Sequence, residues 1–137
     1  MKILIIKHGS LGDLVLSFGA IKSIRDHHPK SKIYLLTQSG YKKIFRNLPY
    51  VNSIFVDDRM RNHKSIIKYL GIIKKKKIDL IIDLQNSSRT QIYHFFTRIF
   101  CKTKILSAKK FSTVKYLQKP QGLQHVTKNH QDQLKLL

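Results

Sequence analysis

The chain has 137 residues, with 27 Lys and Arg against 7 acidic residues, giving a formal charge of +20 and a pI near 10.3. With 42% hydrophobic residues and a mean hydropathy of −0.27 it can bury a core as one domain, 1–137, which excludes wholesale disorder and a membrane-spanning protein. The longest apolar runs, such as Ile3-Leu4-Ile5-Ile6, fall short of the roughly 20 residues that cross a bilayer and of the about 7–15 of a signal-peptide core, so a cytoplasmic location is expected.

Short β-branched runs at 3–6, 33–36, 53–56, 80–82 and 104–106 alternate with amphipathic stretches, a pattern that predicts a parallel sheet. After the first run, Leu14, Phe18, Ile21 and Ile24 recur at helical spacing up to Pro29. Ile66, Leu70 and Ile73 repeat the period, and Lys74 to Lys77 follow where cations favour a helix end. Ile92, Phe95, Phe96, Ile99 and Phe100 form a third stripe, expected to face the core. The stretch 107–124 reads as a long mobile loop, and His125 to Leu137 as a last helix with no cap after it, as if the chain were cut short. Strands without polar alternation are buried on both faces, so the fold class is α/β, a Rossmann-like doubly wound parallel sheet.

In such sheets ligands bind outside the carboxyl ends of the strands. The first segment there is His8-Gly9-Ser10-Leu11-Gly12-Asp13, whose glycine spacing matches neither the dinucleotide nor the P-loop fingerprint. Asp13 puts a carboxylate where a helix terminus would otherwise hold a phosphate. That placement suits a general base reaching a substrate hydroxyl, with helix capping as the alternative. The chain has no Glu, so the candidates are Asp residues, and of these Asp13 and Asp83 stand out at the site edge. For Asp83, bonding to its own turn in Asp83-Leu84-Gln85-Asn86 is an equal alternative.

Arg59, Arg61 and Lys64 follow the third strand on the same edge, placed to converge on one anionic ligand or to stay solvated. No metal site is expected, since the histidines lack ligand spacing and no HExxH exists without Glu. Cys101 reads as a small buried hydrophobe. The charge favours an acidic partner, but no RNP pattern, zinc-finger spacing or basic zipper accompanies it, which argues against nucleic acid.

The run Met1-Lys2-Ile3-Leu4-Ile5-Ile6-Lys7 leading into Ser10-Leu11-Gly12-Asp13-Leu14-Val15 closely resembles the start of family 9 glycosyltransferases, the ADP-heptose:lipopolysaccharide heptosyltransferases and their relatives. The likeness continues through Ala20-Ile21, Pro29, the segments 33–40 and 49–56, and Ile78-Asp79-Leu80-Ile81-Ile82-Asp83-Leu84-Gln85. The resemblance implies the N-terminal, acceptor-side half of a GT-B fold, with the C-terminal donor-binding domain absent. It implies Asp13 as the base that deprotonates the acceptor hydroxyl for inverting attack on the donor sugar. Ser10, Leu11, Gly12, Arg61, Lys64, Asp83 and Gln85 would hold the acceptor, an anionic glycolipid such as the lipopolysaccharide core. No cofactor is implied. A nucleotide-sugar such as ADP-heptose would be the substrate of the complete enzyme, and peripheral contact with the inner face of the inner membrane would follow. Asn86 departs from the Gly common at its position in the family. The alternatives are a freestanding basic binding module for nucleic acid or anionic lipid, and an inert truncated remnant.

Overall fold

The structure is a computed structural model and describes residues 1–58, 63–117 and 126–137. Six strands, β1 (Lys2–Ile6), β2 (Lys32–Thr37), β3 (Ser53–Val56), β4 (Leu80–Asp83), β5 (Lys104–Ser107) and β6 (Val114–Lys115), form one sheet in the order β3-β2-β1-β4-β5-β6. Every pairing is parallel. The chain winds outward from β1 in both directions, so the topological switch point lies between β1 and β4.

The two faces of the central strands enter two separate cores. Ile3, Ile5, Ile33 and Leu35 point to one side, against Leu14, Ile21 and Ile24 of α1 (Leu11–His27), Phe45 of α2 (Lys42–Arg46) and Leu134 of α5 (Val126–Leu134). Leu4, Ile6, Tyr34 and Ile81 point to the other, against Tyr69 and Ile73 of α3 (Lys64–Lys76) and Tyr93 of α4 (Ser88–Phe100). This is the doubly wound α/β arrangement the sequence predicts, and each fully buried Ile or Leu contributes about 1.5–3 kcal/mol.

Local chemistry fixes the helix ends. α1 stops at His28, before Pro29, and Arg25 spreads its guanidinium over the carbonyls of Pro29, Ser31 and Tyr50 and the side chain of Asn52. α3 closes on Lys77 in the left-handed region (φ 53°), with Lys74, Lys75 and Lys76 in its last turn, each favoured there by about 0.3–1 kcal/mol. A reciprocal capping box starts α4, the Thr90 N–H donating to Ser87 Oγ at 3.2 Å and the Ser87 N–H to Thr90 Oγ1 at 2.9 Å.

Two expectations are corrected. The aromatic stripe of α4 does not face the core: Ile92, Phe95, Ile99 and Phe100 are exposed, while Thr90, Tyr93, His94 and Thr97 are buried. The inward face is polar because it carries partners for buried groups of other elements, His94 for Asp83, Tyr93 for Asp57, and Thr97 for the Tyr69 hydroxyl at 3.3 Å. The stretch 107–124 is not wholly loop either, since β6 pairs with β5 and the Thr113 side chain accepts the Ile105 N–H at 2.7 Å. Residues 118–124 lie outside the described residues, as does His125 at the start of the expected last helix.

Candidate functional site

At the switch point the loops after β1 and β4 run side by side. The Leu84 N–H donates to Ile6 O at 3.1 Å, and Gln85 turns its side-chain carbonyl back to accept the N–H groups of His8 (3.2 Å) and Gly9 (2.8 Å). Gly9 has φ +50°, and a Cβ there would lie 3.2 Å from Leu14 Cγ and 3.4 Å from Lys7 Cε, so the turn requires glycine. The turn delivers the chain to Ser10, the N-cap of α1, and sets Asp13 in the first helical turn.

Asp13 is half-buried, and among the described residues no hydrogen bond holds its carboxylate. The N-cap is Ser10, whose side chain makes no capping bond, and Asp13 in the first turn makes none either, though its charge favours the helix N-terminus. Beside Asp13 lies Lys7, almost fully buried, its Nζ donating to Leu84 O at 3.4 Å. Burial lowers the Lys7 pKa, against the charges of Asp13 and Asp83, which raise it. α5 adds His130, also buried, whose pKa falls to about 4, first through burial and then through the Lys7 charge. The Leu84 backbone and the Asp13 carboxylate pull the other way. The switch point thus brings buried Lys7 and His130 within electrostatic reach of the half-buried Asp13 carboxylate.

Asp83 is used differently. It is fully buried, its Oδ1 accepting the N–H groups of Gln85 (3.0 Å) and Asn86 (2.9 Å) and its Oδ2 paired with His94 Nε2 (2.8 Å) and Ser107 Oγ (3.1 Å). Burial pushes its pKa up, but the His94 and backbone bonds outweigh this and hold it below the ordinary carboxylate value. The turn-bonding alternative is therefore the observed one: the Asp83 carboxylate shapes the floor of the site and has no surface to offer a ligand. Gln85, with its Oε1 on the β1 loop, also acts on backbone.

Asn86 sits at φ +50°, where Gly is favoured and Asn is the next best tolerated residue. Its side chain repays the exchange: Oδ1 accepts from Ala108 N–H (2.8 Å) and Ser107 Oγ (3.0 Å), and Nδ2 donates to Gln133 Oε1 (3.1 Å). Gln133 in turn donates to Asp83 O at 2.9 Å, which ties α5 to the β4 turn.

Of the other expected residues, Ser10, Leu11 and Gly12 are exposed at the start of α1, next to Asp13, and Lys64 is exposed at the start of α3. Arg61, like Arg59, lies outside the described residues. The structure also assembles a group that the sequence reading leaves apart. Buried Asp57, after β3, takes the Tyr93 hydroxyl at 2.5 Å and lies 3.0 Å from His8 Nε2 and 3.6 Å from Arg89 Nη2. Only the position of His8 and Asp57 directly after strands signals this cluster in sequence, because its members are far apart along the chain. Among the described residues no three His, Cys or Asp side chains are grouped to hold a metal ion.

No family model matches the sequence, and no curated protein matches it. Solved structures do share the fold. E. coli heptosyltransferase WaaC with ADP-2-deoxy-2-fluoro heptose superposes with a TM-score of 0.76 at 18% identity, over 100% of this chain and 48% of that one. A family 9 glycosyl transferase from Veillonella parvula gives 0.77 at 20% identity, over 98% and 40%. E. coli ADP-heptose lps heptosyltransferase II gives 0.71 at 17% identity, over 95% and 40%. The chain therefore shares its fold with one part of each of these GT-B glycosyltransferases, and spans less than half the length of each.

Proposed function

We propose that this chain is the acceptor-side half of an inverting sugar transferase, acting with a donor-binding half on a nucleotide-sugar such as ADP-heptose and an anionic glycolipid acceptor. The observation that carries the reading is Asp13, a carboxylate in the first turn of α1 at the switch point, half-buried and unclaimed by any hydrogen bond among the described residues. The neighbouring fold is that of proteins solved with ADP or an ADP-heptose analogue.

In this account the acceptor hydroxyl lies against Ser10, Leu11 and Gly12, and Asp13 accepts its proton as the oxygen attacks the anomeric carbon of the donor sugar. The C–O bond to the nucleotide diphosphate breaks as the new C–O bond forms, and the diphosphate leaves with the electron pair. Removing the proton in the transition state contributes typically about 10²–10⁴ in rate. Lys7 ties the end of β1 to the Leu84 carbonyl, while Asp83, Gln85 and Asn86 hold the two loops in register. Lys64 and Arg61 would steer the negatively charged acceptor.

Charge selectivity separates this from a general polyanion binder. The chain should retain a phosphorylated sugar acceptor in the presence of excess heparin or RNA. Displacement by every polyanion in proportion to its charge would overturn the proposal in favour of a basic binding module.

A further inference from the structure

The face of α4 turned away from the sheet is apolar. Ile92 (50% exposed), Ile99 (56%) and Phe100 (54%) share one helical stripe with Phe95 and Phe96. The rings form an unbroken row, Phe100 stacked with Phe96 at 6.3 Å, Phe96 edge-on to Phe95 at 5.3 Å, and Phe95 edge-on to Phe111 at 5.2 Å. Phe111 is held at φ +67°, a strained conformation for a bulky side chain, and its ring is nonetheless exposed. The strain lengthens a surface row of aromatics and fills no core.

The charge around this row is mostly positive, although Asp79, whose carboxylate accepts the Lys2 N–H, shares the groove beside Phe100. Lys74 Nζ sits 5.7 Å over the Phe100 ring, Arg98 flanks the stripe on α4, and Lys102, Lys109 and Lys110 follow in the adjoining segments. The sequence contains no acidic residue between Asp83 and Asp132. A second copy of a +20 chain would meet this rim with like charge, which disfavours self-association through it. An anionic bilayer complements both features, apolar rings entering the boundary between headgroups and acyl chains, and cations at the level of the phosphates.

We propose that the outer face of α4, extended by Phe111, is a docking surface for an anionic lipid bilayer. The inference is independent of the transferase reading, since it uses neither Asp13 nor a sugar.

The test is co-sedimentation of the full chain with phosphatidylglycerol–phosphatidylcholine vesicles, which hold no sugar acceptor, and with phosphatidylcholine alone. Binding is expected to the anionic vesicles only, and the pair Ile92→Ser with Ile99→Ser, folded by circular dichroism, should weaken it by at least about tenfold. Undiminished binding of that pair would overturn the proposal, leaving net charge alone as the cause. The chain has no Trp, so Ile99→Trp supplies a single reporter on the stripe. Its emission should shift to the blue on adding anionic vesicles. A blue emission without lipid, together with a doubled mass in solution, would overturn the proposal by assigning the face to a second copy.

Discussion

Gln85 Oε1 accepts the Gly9 N–H at 2.8 Å, a bond between residues 76 positions apart that locks the loop after β1 to the loop after β4. Gly9 leads directly into the turn that presents Asp13, so the position of the proposed base depends on an amide in another loop.

Gln85→Ala leaves two loop N–H groups without their acceptor and should cost about 1–3 kcal/mol. The site-specific sign is faster amide exchange at His8 and Gly9. Unchanged protection there would show that the loop is held by something other than Gln85.

At Asn86 two substitutions give opposite information. Asn86→Gly keeps the φ +50° backbone and loses the bonds to Ser107, Ala108 and Gln133, whereas Asn86→Ala loses the bonds and adds about 1–2 kcal/mol of left-handed strain. Denaturant melts should rank wild type above Gly and Gly above Ala. If Ala equals Gly, the backbone at this position is not left-handed.

His130 makes stability depend on pH in a defined window. Its pKa in the fold, about 4, lies below the ordinary 6.5, so the unfolded chain binds a proton that the folded chain refuses between those values. Stability is therefore fully present above pH 6.5 and falls as pH drops toward 4, by of order 3 kcal/mol. Asp83, with its pKa lowered from 3.8, contributes stability that is lost only at still lower pH. His130→Gln should flatten the slope between pH 6.5 and 4 and leave the more acidic limb in place. A slope that persists in the variant would assign it to another group.

Tyr93→Phe tests the cluster around Asp57. The hydroxyl bond to a buried carboxylate is worth about 1.5–3 kcal/mol, and its loss removes one partner from an Asp57 that also lies beside His8 and Arg89. Tyr93 titrates above its ordinary value, through burial and the Asp57 carboxylate, so Asp57→Asn should bring the phenol titration down. A phenol whose titration stays put in Asp57→Asn would mean that burial alone sets it.

The strands and α1 were legible in sequence because short β-branched runs and a regular Leu14-Phe18-Ile21-Ile24 spacing each encode a local period. The place of Asp13 in the first turn of α1 was legible because the segment after the first strand leads straight into the Leu14-Phe18-Ile21-Ile24 helical period. The orientation of α4 was not. A stripe of Ile and Phe specifies one apolar face, but which face turns inward depends on distant Asp57, Tyr69 and Asp83, whose buried polar groups are satisfied by the opposite face. The Asp57 cluster escaped for the same reason, since His8, Asp57 and Tyr93 meet only once β1, β3 and α4 are assembled. β6, two residues long, carries no period at all.

The most direct test of the central claim is sugar-transfer turnover by the protein isolated from its own cells, compared with that of its Asp13→Asn variant. The account predicts a fall in kcat of about 10²–10⁴ with acceptor affinity nearly unchanged, since Asn keeps the shape and loses the base. An Asp13→Asn enzyme that turns over at the wild-type rate would contradict it and remove Asp13 from the chemistry.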